Sequence, residues 1–157
     1  MLRDIFVSLI LLGGLIACVR GPFNALLLYI WVAYFRPEQW VWGAWVREAH
    51  LSIVVGTILV LLTIVTLRPD RLKLTGDIAL LLLFLVQATL STVFSQAPAW
   101  SQAWWFEFAK VMLVGYLIVV HVDSVQRLRV LLVVMALSLG LESVKQGYAH
   151  FLLAPGQ

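Results

Sequence analysis

Apolar residues run through this chain in blocks rather than in alternation. Six blocks stand out: Ile5 to Val19, Phe23 to Phe35, Leu51 to Leu67, Ile78 to Phe94, Phe106 to Val122, and a last one from near Leu128 to Leu153. Each is longer than an ordinary strand and none keeps a period of two, so all six predict helices. The breaks carry helix punctuation. Arg20-Gly21-Pro22 separates the first two blocks, and Pro22 suits the first turn of the second helix. Arg36-Pro37 closes that helix, because the residue before a proline is pushed out of helical geometry. "RPDRLKLTGD" and "SQAPAWSQ" flank the fourth block, and Asp77, with Thr75 as the other candidate, is placed to cap it.

Length decides what such helices do. A bilayer core of about 30 Å needs about 20 helical residues. Blocks three, four and five come close, whereas the first two are short, at 15 and 13 residues. Snorkelling of Arg3 and Arg20 lengthens the first. The alternative is a tight hairpin that does not fully cross. The expected fold is all-α: a polytopic integral membrane helix bundle of about six transmembrane or membrane-embedded helices, in one membrane domain over residues 1–157.

Composition strengthens that expectation. The chain is 62% hydrophobic and 12% charged, with a mean hydropathy of +0.99. Soluble domains run near 45–50% apolar and about 25% charged. The net charge of +3 comes from eleven Lys and Arg scattered between apolar blocks. No continuous basic face exists, so nucleic acid is excluded and membrane lipids are the expected partner. Cys18 is the single cysteine, which rules out an intrachain disulfide or a cysteine-based zinc site. His50, His121 and His150 have no mutual ligand spacing, and no phosphate loop, HExxH or GxSxG occurs. No metal and no cofactor is expected. Leu15-Ile16-Ala17-Cys18 looks like a lipoprotein cleavage site, but the sequence returns directly to apolar residues, which favours an uncleaved first membrane helix.

Loop charge orients the bundle. Arg20, Arg68, Arg71, Lys73, Arg127 and Arg129 fall in the first, third and fifth connections, against Arg3, Arg36, Arg47 and Lys110 on the other side. The positive-inside rule therefore puts the odd connections in the cytoplasm. Six of the seven tryptophans, Trp40, Trp42, Trp45, Trp100, Trp104 and Trp105, share the opposite side. Indole favours the headgroup boundary, where its apolar body and its N–H are both satisfied. "EQWVWGAWVREAH" and "APAWSQAWWFEF" thus read as interfacial segments. Tryptophan with arginine is also a way to hold a lipid-linked phosphate.

Polar residues inside the blocks narrow the picture. Ala136, Gly140, Ser143 and Gly147 form one narrow stripe, suited to close approach of another helix. Ser138, Glu142, Lys145 and Gln146 lie on a broadly opposite face, and Glu142 and Lys145 are spaced to form an intramembrane ion pair. The pair either lines a polar cavity or is a structural contact. Glu107 and Lys110 repeat the spacing at an interfacial position, and Gln87, Ser91 and Ser95 form a polar stripe suited to interhelical hydrogen bonds.

The order of these features resembles the start of the O-glycosylation ligases associated with the exosortase A system. The residues that carry the resemblance are Arg3-Asp4, Gly13-Gly14, Arg20-Gly21-Pro22-Phe23, Tyr34 through Gly43, and the stretches "LLLLFLVQATLSTVFS" and "LSLGLESVKQGYAHFLL". The family is similar to O-antigen ligases and polymerases. The resemblance implies a multi-pass glycosyltransferase of the bacterial inner membrane that takes glycan from a polyprenyl-diphosphate donor and passes it to protein or polysaccharide. It also implies about ten to twelve spans, with the reactive Arg and His in a later external loop. This chain then corresponds to the N-terminal domain, inactive alone and packed against the remaining helices. No catalytic residue is assigned in it. A diphosphate needs cationic donors, and Arg36, Arg47 and Lys145 are the candidates. The competing expectation is a small non-enzymatic membrane protein that packs with partner subunits through the stripe on its last helix. A transporter fragment is a third, disfavoured by the lack of internal repeats.

Overall fold

The computed structural model describes residues 2–40, 50–66 and 76–153. Every regular element among them is a helix: α1 (Leu2–Cys18), α2 (Pro22–Phe35), the short α3 (Pro37–Trp40), α4 (Leu51–Thr66), α5 (Gly76–Val93), α6 (Pro98–His121) and α7 (Val125–Leu153). The fold is all-α, and the helix positions follow the apolar blocks. Two compact units result: Met1–Thr66 with Ser124–Gln157, and Leu67–Asp123 between them.

The first unit is built around α2. Gly21 supplies the φ of 143° that turns the chain out of α1, a value a side chain would resist, and Pro22 opens the new helix. Asn24 Nδ2 donates to the Ala17 carbonyl at 3.0 Å, a second donor beside the Arg20 N–H that closes the last turn of α1. Gly14 lies so close to Leu28 that an added Cβ would meet its methyl at 2.5 Å. These contacts make α1 and α2 an antiparallel hairpin. Tyr29 packs against Gly56, and Ser52 reaches the end of α2, so α4 also runs antiparallel to it. The Arg127 guanidinium stands 5.2 Å above the Phe23 ring, and Glu142 feels the charge of Arg36. The starts of α2 and α7 therefore meet, as do their later turns, and the two run parallel.

As the central helix, α2 buries Ala25, Leu26, Leu28, Ile30, Val32 and Phe35. Its fourteen residues span about 21 Å. The length is short for a bilayer, and the apolar residues all round it fit a helix enclosed by others.

The second unit is a hairpin of α5 and α6. Phe84 and Phe108 pack with ring centroids 5.7 Å apart, and Trp105 Nε1 donates to Thr89 Oγ1 at 3.0 Å. Ser95 and Ser101 share a hydrogen bond of 2.5 Å at the turn. The chain enters α6 earlier than the apolar block suggests. Pro98 opens the helix, so the proline that reads as a loop marker is a helix start. Asp77 likewise sits inside the first turn of α5, where its charge faces the positive end of the helix. Of the polar stripe on α5, Gln87 and Ser91 are exposed. Thr89 and Ser95 make the contacts to α6 instead.

Among the described residues, α5 and α6 are long and apolar enough to cross a membrane, while α1, α2 and α4 are apolar but shorter. Their outward faces carry Leu80, Leu83, Phe84, Val93, Phe94 and Val111, all more than half exposed. Contiguous apolar surface on this scale is uncommon on a soluble monomer and points to association with a membrane. Hydroxyls on these helices are satisfied internally: Thr57, Thr63, Thr66, Thr89 and Thr92 each donate to the carbonyl four residues back. Such back-bonding hides polarity where no water is available to receive it.

Candidate functional site

The most distinctive polar arrangement lies where α2 ends. Phe35 and Pro37 are both fully buried, and Arg36 between them is exposed. Arg36 takes a left-handed conformation, φ 48° and ψ 65°, while its N–H still reaches the Val32 carbonyl at 3.1 Å. A non-glycine residue in that region costs about 1–3 kcal/mol and persists only where its surroundings impose it. Here two buried neighbours, with Phe35 stacked on Trp31 at 5.1 Å, impose it. The result is a guanidinium held at the end of a packed helix.

Arg36 lines a cavity of about 230 Å³ with Val32, Ala33, Glu38 and Ser52. Glu38 comes from α3 and Ser52 from the first turn of α4. Glu38 Oε1 is buried and accepts no hydrogen bond from the chain. A buried oxygen of this kind is uncommon, because desolvation without a partner is costly. Beside this corner, α7 carries a charged network. Lys145 Nζ lies 2.6 Å from Glu142 Oε2, and Gln146 Nε2 donates to Glu142 Oε1 at 2.9 Å. Both charged side chains are less than one-fifth exposed. Ser138, one turn earlier, is fully buried and bonded to the Val134 carbonyl at 2.7 Å.

The candidate residues thus fall into three sets. Arg36 and Lys145 are brought to the same end of the first unit, each with a carboxylate beside it. Arg47, Trp42 and Trp45 lie outside the described residues, as does the side chain of Trp40. Trp100, Trp104 and Trp105 ride on the first two turns of α6, so "APAWSQAWWFEF" is part of a long helix rather than a separate surface segment. Trp100 and Trp104 are exposed and 5.7 Å apart, whereas Trp105 is tied to Thr89. Glu107 and Lys110 pair at 2.5 Å on the exposed side of the same helix. On α7 the stripe of Ala136, Gly140 and Ser143 is exposed, with Gly147 partly so, and no described atom lies within 4 Å of a Cβ built on Gly140 or Gly147. The opposite, polar face is the one that turns inward.

The profile of a family of unknown function (DUF5935) matches residues 2–154. The chain belongs to this family. No curated protein and no solved structure matches it. Nearly the whole DUF5935 chain falls within the match, so the helices of both units are family features rather than additions at one end.

Sequence reasoning about this DUF5935 chain missed Glu38, Ser52 and the Arg127–Phe23 contact. Glu38 was legible only as one more polar residue among tryptophans. The burial of its Oε1 depends on the left-handed turn at Arg36 that sets where α3 begins, which no spacing rule supplies. No group of three or more His, Cys, Asp or Glu able to hold a metal occurs among the described residues.

Proposed function

We propose that this chain is the N-terminal membrane domain of a ligase-like glycosyltransferase of the bacterial inner membrane. In this reading the intact enzyme transfers glycan from a polyprenyl-diphosphate donor to protein or polysaccharide. The observation that carries the reading is the strained, exposed Arg36 at the rim of a cavity, just past the last apolar turn of α2. A guanidinium at that depth is placed to meet a lipid phosphate. The six-span arrangement is supported by helix direction. Because α2 and α7 run parallel, with α4 antiparallel to α2, the chain leaves and re-enters the first unit at the same end. The α5–α6 hairpin, by the length of its two helices, adds two further crossings in this reading.

Charge balance limits the role of the described residues. Arg36 shares its cavity with Glu38, and Lys145 is paired with Glu142. A diphosphate held here needs a further cation, for which Arg47 is the candidate. The test is glycan transfer by the intact protein in its source cell. Arg36→Gly removes both the guanidinium and the backbone strain, so folded protein is expected at normal or higher levels with transfer lost. Full transfer by Arg36→Gly and Arg47→Ala variants would exclude a donor role for Arg36 and Arg47. An immunoblot of an N-terminally tagged native product separates the main alternatives. A band several spans larger than 17.6 kDa fits the ligase reading.

The second reading is a non-enzymatic membrane protein that packs with partner subunits. The outward stripe on α7 favours it, since small residues permit close helix approach. A native band at 17.6 kDa would favour this reading.

A further inference from the structure

The cavity at the end of α2 joins three observations that the glycan-transfer reading does not use together. Arg36 offers a fixed fork of N–H donors at the rim. Glu38 offers a buried carboxylate oxygen with no donor. Ser52 adds a hydroxyl that both donates and accepts. Among the described residues, one positive and one negative side chain line the same space, so a ligand with net charge leaves one of them opposed. A zwitterion leaves neither opposed.

Position and size point the same way. Arg36 and Glu38 follow the last apolar residue of α2, and Ser52 lies in the first turn of α4. The corner therefore stands where apolar helix surface gives way to polar chain, which is headgroup depth in a bilayer. Its 230 Å³ holds roughly eight waters, enough for a small headgroup and too little for an extended glycan. The walls Val32 and Ala33 are apolar, as an acyl-glycerol attachment requires.

We propose that this cavity binds the headgroup of a zwitterionic phospholipid with a primary ammonium, the phosphate on Arg36 and an ammonium N–H on Glu38 Oε1. A protonated amine supplies the donor that the orphaned oxygen lacks. A quaternary ammonium carries the same charge but has no N–H, so it cannot satisfy that oxygen. The proposal does not rest on glycan transfer and holds for any membrane-embedded role of the chain.

The test reconstitutes the chain in vesicles holding equal amounts of phosphatidylethanolamine, phosphatidylcholine and phosphatidylglycerol with identical acyl chains. Mild detergent extraction then leaves the tightly held lipid, which mass spectrometry counts. The expected result is roughly tenfold enrichment of phosphatidylethanolamine over phosphatidylcholine, the effect of one charge-assisted hydrogen bond. Glu38→Met, which removes the acceptor oxygen, should abolish that preference, and Arg36→Gln should lower retention of both zwitterionic lipids. Equal retention of the two by the unaltered chain would overturn the proposal, as would a preference that survives Glu38→Met. Enrichment of phosphatidylglycerol above both would also overturn it, and would mark the corner as an anion site.

Discussion

The helix α2 and the α5–α6 hairpin read alike in the sequence and differ in what surrounds them. Both are built mainly of apolar residues. Yet α2 buries six residues against α1, α4 and α7, whereas α5 buries Ile78 alone. Hydropathy reports that a helix avoids water, without reporting whether protein or lipid takes the place of water. The distinction lies in helix length and in the small residues at the contacts. With fourteen residues, α2 is too short to face a full bilayer core, and Gly14 and Gly56 let its neighbours come close. The eighteen residues of α5 have the length to face lipid.

This contrast makes its largest prediction for large-to-small changes. Leu26 is fully buried in α2, and Leu83 is 65% exposed on α5. Leu26→Ala should destabilise the folded chain by about 2–4 kcal/mol through lost packing and a residual cavity. The same change at exposed Leu83 removes little packing within the protein and should stay within about 0.5 kcal/mol. Denaturant titration in detergent micelles measures both. Equal losses at the two positions would mean that the hairpin is covered by protein.

The two ion pairs sharpen the comparison at a smaller scale. Glu142–Lys145 and Glu107–Lys110 have the same spacing and nearly the same length. Their side chains are 18–19% exposed in α7 and 58–66% exposed in α6. Lys145→Ala leaves Glu142 with only Gln146 and the charge of Arg36 for support, and should cost about 1–3 kcal/mol. Lys110→Ala breaks an exposed pair and should cost no more than about 0.5 kcal/mol. Salt should weaken the second pair and leave the first almost unchanged, which melting curves across ionic strengths resolve.

Much of the fold was legible before any coordinates, and the reasons are specific. Pro22 and Pro37 fixed helix limits because proline restricts the backbone wherever it sits. The Glu142–Lys145 contact was legible because a helix places i and i+3 together. The same logic predicted the small stripe on α7 but not its direction. The stripe and the polar face are both poor lipid surfaces, and only tertiary packing chose which one α2 would cover. The start of α6 was misread because Pro98 in "SQAPAWSQ" fits a loop and a first helical turn equally well. The corner at Glu38 was not legible at all, because a carboxylate with one buried oxygen next to three tryptophans has no sequence signature. The tryptophans drew attention to an interface, whereas the unusual chemistry belongs to a residue beside them.

A third contrast sets adjacent glycines against each other. Gly13 has open space beside it, and Gly14 faces Leu28. Gly13→Ala should be neutral or stabilising by up to about 1 kcal/mol, since alanine is the better helix former. Gly14→Ala gains the same propensity but drives a methyl to within 2.5 Å of the Leu28 side chain. That side chain can rotate, so the net cost should be about 1 kcal/mol rather than a collapse of the hairpin. Thermal melting of the two variants reads the difference. A Gly14→Ala variant as stable as Gly13→Ala would mean that α1 and α2 pack less closely than these contacts indicate.

The smallest effect separates tryptophans that the sequence treats as equals. Trp105 donates to Thr89 Oγ1, and Thr89 in turn donates to the Leu85 carbonyl, so the indole is the outer link of a chain that joins α6 to α5. Trp105→Phe keeps the ring and removes the donor. It should lower stability by about 0.5–1.5 kcal/mol, the net worth of one hydrogen bond. Trp100→Phe removes no such bond, because Trp100 packs on Trp104 in a tilted pair 5.7 Å apart and is exposed. Its stability should be unchanged within about 0.3 kcal/mol, while its fluorescence-quenching depth in vesicles shifts if the ring marks the headgroup boundary. Matching stability losses at both positions would place Trp100 against protein and remove it from the interfacial set. A loss at Trp105 alone would divide the aromatic cluster into one structural ring and an outward-facing pair.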